Sequence, residues 1–301
     1  MSGARRGLTG TTDPFVAHRS LLFTVAYEML GSAADAEDVV QDTWLRWAGL
    51  DEPARADVRD PRAFLVRIVT RQALNRLRTV SRRREEYVGQ WLPEPLLTSP
   101  DVAEDVELAE SVSFAMLTVL ETLGPTERAV FVLREVFETP YDEIADAVGK
   151  SSAAVRQIAH RARRRVAERR PRASVDRSQQ EAVVRQLMAA LRGGDLQALM
   201  DVLAPDVVAV GDGGGLAPAA KRPVVGALRV GRALISLTRR PGPYAIVATW
   251  LNGAPAVRVD LDGAAAGALS LVVEGGRVTR LYAVANPHKL GRLAEEAALS
   301  R

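Results

Sequence analysis

Apolar positions recur at helical spacing through residues 13–88. Leu22, Val25, Ala26 and Met29 form one stripe, and Gly31 ends it. Ser32 stands three residues before Asp35, a capping-box-like start to a second helix. There Val40, Trp44 and Trp47 fall at i, i+4 and i+7 and are expected to face the core, with Asp38, Gln41, Asp42 and Leu45 mostly on the other side. Asp60-Pro61 opens a third helix, since proline suits the first helical position. Its stripe is Val66, Val69, Ala73, Leu77 and Val80. Residues 89–110 interrupt the pattern. GQWLPEPLLTSPD carries three prolines and reads as a linker, and the acidic run DVAEDVELAE suits the opening of the next helix. Residues 111–170 are helical again, and residues 171–180 form a polar boundary.

Residues 181–301 change character. Two short helices are expected, on Val184, Leu187, Met188 and Leu191 and then on Leu196, Leu199 and Leu203, with Gly193-Gly194-Asp195 between them. Strand-like runs follow: VVAVG, YAIVATWL, AVRVDLDG, ALSLVVEGG and RVTRLYAVA. Asn252-Gly253 and Gly275-Gly276 mark hairpin turns, and a helix near residues 228–239 lies between the first two runs. The expected fold class is multidomain: all-α modules, then an α+β domain whose curved sheet wraps on helices.

Within the second helical region, Thr139-Pro140-Tyr141-Asp142 reads as a helix start with Thr139 as cap, and Gly149 suits a left-handed C-cap. Ser151 then caps a helix with the apolar stripe Val155, Ile158, Ala159, Ala162 and Val166. Its other face carries Arg156, Gln157, His160 and Arg164, flanked by Arg161 and Arg163. Two short helices, a tight turn and a basic second helix make a helix-turn-helix, which can lay arginine and glutamine on base edges and arginine on phosphates. The plain alternative is a helical hairpin with a solvated face. In the third helix of the chain, Arg67, Arg71, Asn75, Arg78 and Arg82 lie on one continuous face opposite its stripe, a ladder that repels itself unless an anion lies against it. The acidic face of the second helix would repel DNA, so it is expected to meet a basic protein surface.

Charge sharpens this. The 301 residues (32.5 kDa) carry a net +3, but in blocks. Residues 67–84 hold seven arginines and no acid, residues 150–172 nine basic residues against Glu168, and residues 101–110 five acids and no base. Such blocks suggest a polyanion partner. The absence of cysteine excludes disulfides, thiol nucleophiles and Cys-ligated metals, and the three separated histidines (His18, His160, His288) make a metal site unexpected. No apolar run reaches the ~20 residues needed to span a bilayer, and the N-terminus lacks a signal-peptide core. A cytoplasmic location is therefore expected, with no cofactor.

DAEDVVQDTWLRW, DPRAFLVRIVTRQALNRLR and LGPTERAVFVLREVFETPYDEIADAVGKSSAAVRQIAHRARRRV, in that order, resemble a bacterial RNA polymerase sigma factor of the extracytoplasmic-function type over residues 13–170. The resemblance implies a sigma-2 domain at residues 13–88, a linker at 89–110 and a sigma-4 domain at 111–170. It implies that Asp35, Asp38, Gln41, Asp42 and Leu45 bind core polymerase. It gives Arg67, Arg71, Asn75, Arg78 and Arg82 to the −10 element together with the loop at 49–60, and Ser151, Ser152, Arg156, Gln157, His160, Arg161 and Arg164 to the −35 element. The family often shows N-x-x-x-D-x-x-R at the end of sigma-2; here Asn75 and Arg78 keep a looser form.

Residues 181–301 resemble a SnoaL-like, nuclear-transport-factor-2-like domain fused to such sigma factors, through WLPEP at 91–95, DGGG at 212–215 and NPHKL at 286–290. This implies regulation in cis without a separate anti-sigma factor. The expected contacts join Trp91 and Pro93 to Asp212, Gly213, Gly214 and Gly215 and to Asn286, Pro287, Lys289 and Leu290, with a tail directed outward after NPHKL. Catalysis is not expected. Asp206, Asp212, Asp260 and Asp262 lie near turns, where solvated aspartate is usual, and Tyr244, Trp250 and Tyr282 are read as packing residues, although a small-molecule pocket remains open. The alternative function is a helix-turn-helix regulator with an effector-binding C-terminal domain. An isomerase or cyclase with a DNA-binding appendage is a second.

Overall fold

The computed structural model describes residues 13–169, 176–238 and 243–301, and for residues 81–85 and 237–238 the backbone only. Helix α1 (Pro14–Leu30) starts where the Asp13 carboxylate accepts from the Phe15 N–H at 2.8 Å, and stops at Gly31 with φ 65°. Ser32 caps α2 (Ala33–Ala48) by accepting from the Asp35 N–H. After the short α3 (Glu52–Ala56), the 25 residues of α4 (Pro61–Glu85) run roughly 37 Å. The stripes of α1, α2 and α4 meet in one core, with Leu22, Val25, Met29, Val40, Trp47, Val69 and Leu77 buried. Trp44 does not join it. At about 100° per residue it lies roughly 40° to one side of Val40, with Trp47 about 20° to the other. It therefore stays 37% exposed, its ring tilted against Phe15 at 5.0 Å.

From Tyr87 to Ser99 the chain forms an extended strap without helix, as its prolines require. The second helical unit follows: α5 (Val106–Ser111), α6 (Phe114–Leu120), α7 (Pro125–Phe131), a π-turn at Val132–Val136, α8 (Tyr141–Val148) and α9 (Ser152–Ala167). Pro140, not Thr139, takes the N-cap of α8. The first helical bond runs from the Ile144 N–H to the Pro140 carbonyl at 3.0 Å, which leaves Thr139 one residue outside, its N–H donating to the Leu133 carbonyl at 2.9 Å. Gly149 (φ 68°) and Ser151 then set the turn into α9. The two helical units are not packed apart. A single hydrophobic cluster runs from Phe15 to Val166 through both.

The C-terminal unit opens with α10 (Arg177–Gly193), which starts inside the stretch read as a boundary. Its first turn faces solvent, with Arg177 paired to Glu181, so residues 177–180 carry no apolar signal. After α11 (Leu196–Val202), Leu203 opens β1 (Leu203–Asp212) rather than continuing a helix. Then come β2 (Val224–Val225), α12 (Ala227–Thr238), β3 (Tyr244–Leu251), β4 (Ala254–Leu261), β5 (Ala264–Glu274) and β6 (Arg277–Val284). Among the described residues these strands form one sheet of order β2-β1-β6-β5-β4-β3, antiparallel except where β1 meets β6.

Alternation along the strands covers both faces of this sheet. Val257, Leu269 and Leu281 point at α10–α12, while their neighbours Ala256, Ala268 and Tyr282 pack on Leu92 of the strap and Phe114 of α6. The second face thus joins the domain to the helical body. The tail is not sent outward. Leu290 and Leu293 are buried, the Ala297 N–H donates to the Leu97 carbonyl at 2.8 Å, and the Ser300 N–H donates to Thr24 Oγ1 at 3.2 Å. Arg301 then pairs with Asp105 (2.9 Å) and Glu107.

Candidate nucleic-acid interface and interdomain seam

On α9 the five apolar positions are buried, which leaves Arg156, Gln157, His160, Arg161 and Arg164 exposed; Ser151 is exposed and Ser152 half-buried at the helix start. Arg156, Gln157, His160 and Arg161 line a shallow depression. Ser151 Oγ accepts from the Ala154 N–H at 3.3 Å. Arg163 and Arg165 turn back to Glu135 (3.7 Å) and Glu127 (2.6 Å), and Arg164 pairs with Glu168 at 3.3 Å.

The α4 ladder is only partly open. Arg67 is half-buried, its guanidinium 5.3 Å from the Phe64 ring centre. Arg71 donates to the Asp146 carbonyl of α8 at 2.6 Å, so a residue given to the −10 element touches the helix-turn-helix. Asn75 and Arg78 are exposed and lie 3.4 Å from each other, and the Arg82 side chain lies outside the described residues. On α2, Asp38, Gln41, Asp42 and Leu45 are exposed, whereas Asp35 is half-buried and held at 2.5 Å by Arg76, which also reaches Asp38 at 3.1 Å.

The C-terminal unit meets the strap through a polar node. Asp212 is fully buried rather than solvated, because the strap and the tail close over the end of β1. Its carboxylate accepts from Tyr87 Oη (2.5 Å), the Leu92 N–H (2.9 Å), Lys289 Nζ (2.7 Å) and the Gly214 N–H (3.1 Å). Lys289 also donates to the Leu92 carbonyl and lies 4.1 Å from the Trp91 ring centre. Asn286 donates to Tyr87 Oη at 2.7 Å and accepts from the His288 N–H. Burial and the neighbouring Asp212 push the Tyr87 hydroxyl pKa up. Glycine is required in this loop: a Cβ on Gly213 would lie 2.1 Å from the Ala217 carbonyl, and one on Gly214 would lie 2.3 Å from Asn286 Nδ2. Gly215 packs on Val88, Pro93 and Leu290 are buried, and Pro287 is exposed.

Three features had no sequence signal of their own. Tyr87 is one, the first residue of the strap. Glu94 is the second: its carboxylate accepts from the Ala33 N–H at 2.7 Å and the Ala34 N–H at 3.4 Å, adding a cap to α2. Burial raises its pKa against the pull of those bonds. The third joins α1 to the second helical unit. Glu28 is fully buried and accepts from Ser111 Oγ at 2.7 Å. Buried Arg128 donates to the Glu28 main-chain carbonyl at 2.8 Å and pairs with Glu121. Burial pushes the Glu28 carboxyl up to about 8. The remaining acids weighed for catalysis lie elsewhere: Asp260 is paired with Arg258 at 2.8 Å, and Asp206 and Asp262 are exposed.

A helix-turn-helix with an exposed basic face, beside a second helix carrying an arginine ladder, is the arrangement of a DNA-binding protein. Family models agree, Sigma-70 region 2 matching residues 15–83 and Sigma-70, region 4 matching residues 113–166. The chain is 41% identical over 289 residues to the ECF RNA polymerase sigma factor SigJ of Mycobacterium tuberculosis, covering 91% of each. It is 37% identical to the probable ECF RNA polymerase sigma factor SigI of the same organism, over 93% of this chain and 94% of the relative. The crystal structure of Mycobacterium tuberculosis SigJ superposes with a TM-score of 0.72 at 38% identity, over 91% of this chain and 96% of that one. The chain belongs to the ECF RNA polymerase sigma factors. It binds core RNA polymerase and promoter DNA and directs transcription initiation.

Proposed function

We propose that the C-terminal unit of this sigma factor governs the sigma core in cis, through the buried Asp212 node, and that no separate anti-sigma factor is needed. The supporting observation is that the ligands of Asp212 come from the strap and from the tail, not from its own sheet alone. A carboxylate with no exposure and four donors is costly to expose singly, so strap, DGGG loop and tail move together. The exposed face of α2 docks on core polymerase, α9 reads the −35 element and the α4 ladder engages the −10 element. These elements are centred roughly 25 base pairs apart, about 85 Å at ~3.4 Å per pair. Arg71 and Asp146 touch at 2.6 Å, so the closed arrangement has to open before both elements are reached.

The test is run-off transcription with purified core polymerase, comparing the full chain with truncations near residues 175 and 285 and with Asp212→Asn. Truncation and Asp212→Asn are expected to shift transcription in the same direction. Identical transcript yields from all four chains would rule out control in cis.

A further inference from the structure

We propose that the Asn252-Gly253 turn between β3 and β4 is a wedge that holds the two helical units of the sigma core shut against each other. The inference rests on control in cis as argued above, and assigns it a second contact, separate from the Asp212 node.

Hairpin turns ordinarily lie in solvent, yet Asn252 has no exposure at all. Its amide is spent on three parts of the chain. Nδ2 donates to Tyr27 Oη of α1 at 2.7 Å and to the Val112 carbonyl between α5 and α6 at 2.9 Å, and Oδ1 accepts from the Leu96 N–H of the strap at 3.0 Å. Main-chain bonds add to these: the Asn252 N–H donates to the Leu96 carbonyl at 3.0 Å, and the Gly253 N–H to Thr98 Oγ1 at 3.1 Å. Tyr27 in turn donates to the Glu94 carbonyl at 2.6 Å. One side chain of the C-terminal unit therefore bridges the first helical unit, the strap and the second helical unit.

The neighbouring hairpin separates position from turn type. Asn252-Gly253 has φ values of 53° and 74°, and Asp262-Gly263 between β4 and β5 has 52° and 79°, so both turns ask the same of their residues. A Cβ on Gly263 would meet nothing within 4 Å, whereas one on Gly253 would lie 2.8 Å from the Ala109 Cα. Only the first turn is driven into the helical body. Moving the second helical unit away breaks the Val112 bond and strips packing from Gly253, while the bonds to Tyr27 and Leu96 hold the turn in place. The wedge thus opposes the separation that simultaneous −10 and −35 contact requires.

Two substitutions in the full chain test this, with a matched control. Asn252→Gly keeps the positive φ and deletes the amide. Gly253→Ala drives a methyl group into Ala109. Gly263→Ala applies the same backbone strain at the solvent-exposed turn. The chain has no cysteine, so Ala17→Cys and Ala167→Cys carry a fluorophore pair that reports the separation of α1 from α9. Asn252→Gly and Gly253→Ala are expected to add a population of longer distance and to raise run-off transcription at least threefold over Gly263→Ala. Distances unchanged from the control overturn the wedge, and so do longer distances with unchanged transcription. Truncation near residue 285 separates the two levels. If it changes transcription while Asn252→Gly does not, control in cis stands and the wedge falls; if neither does, both fall.

Discussion

Asp212 and Lys289 show how much one buried pair carries when its partners come from distant segments. Their contact is 2.7 Å, with Asp212 fully buried and Lys289 nearly so. Removing one member strands the other, at a cost of about 3–5 kcal/mol. Lys289→Met and Asp212→Asn are therefore expected to destabilise the chain strongly on their own and far less than additively together, which a denaturant double-mutant cycle would measure. Glu28 sets a pH dependence. Its carboxyl is raised to about 8 from an ordinary value of 4.5. A raised carboxyl pKa adds stability that is full below the unfolded value and fades as pH rises through the folded one. The folded chain is accordingly expected to lose stability between about pH 5 and about pH 8, as the carboxyl ionises in a site that burial keeps from water. Glu28→Gln should flatten that dependence in pH-resolved unfolding midpoints, and an unchanged slope would remove Glu28 as its source.

Among the elements, α9 divides its charges by use. Arg163 and Arg165 are tied to Glu135 and Glu127, while Arg156, Gln157 and His160 are exposed, Arg156 with its guanidinium 5.8 Å from the Tyr141 ring centre. Arg156→Ala and Gln157→Ala are each expected to cost about 1–3 kcal/mol of promoter discrimination, seen as loss of preference at single −35 positions, whereas Arg163→Ala should not. Ser151→Ala removes the cap and is expected to lower stability by about 1 kcal/mol, seen in the unfolding midpoint. The stripe of α9 was fully legible in the sequence because one repeated period places all five apolar residues. The helix α8 starts one residue later than its sequence suggests, since the Pro140 carbonyl accepts the first helical bond while the Thr139 N–H donates back to the Leu133 carbonyl of the preceding π-turn. Glu94 as a cap of α2 was invisible for the same reason at longer range: donor and acceptor are some 60 residues apart.

At the scale of the whole molecule, DNA binding by the holoenzyme is expected to fall steeply with salt, because each arginine set on a phosphate releases counterions. Neutralising Arg67, Arg71 and Arg78 together should lower the slope of log affinity against log salt by about 3 if all three meet phosphate, and leave it unchanged if none does. Arg71 has first to leave the Asp146 carbonyl, so its share depends on opening. The tail does not point away but returns to Thr24 and to Asp105 at the start of α5, along an apolar face that buries Leu290 and Leu293.

Helix and strand periods, the αL glycines and the two basic faces came from local order along the chain, because each depends on residues within a few turns of one another. The order of motifs was enough to point to the sigma factor family. The shared core of those units, the burial of Asp212 and the insertion of Asn252 between α1, strap and α6 were decided by tertiary structure alone. The last two need partners more than 100 residues away, and a desolvated polar group takes its identity from what surrounds it rather than from what precedes it in the chain.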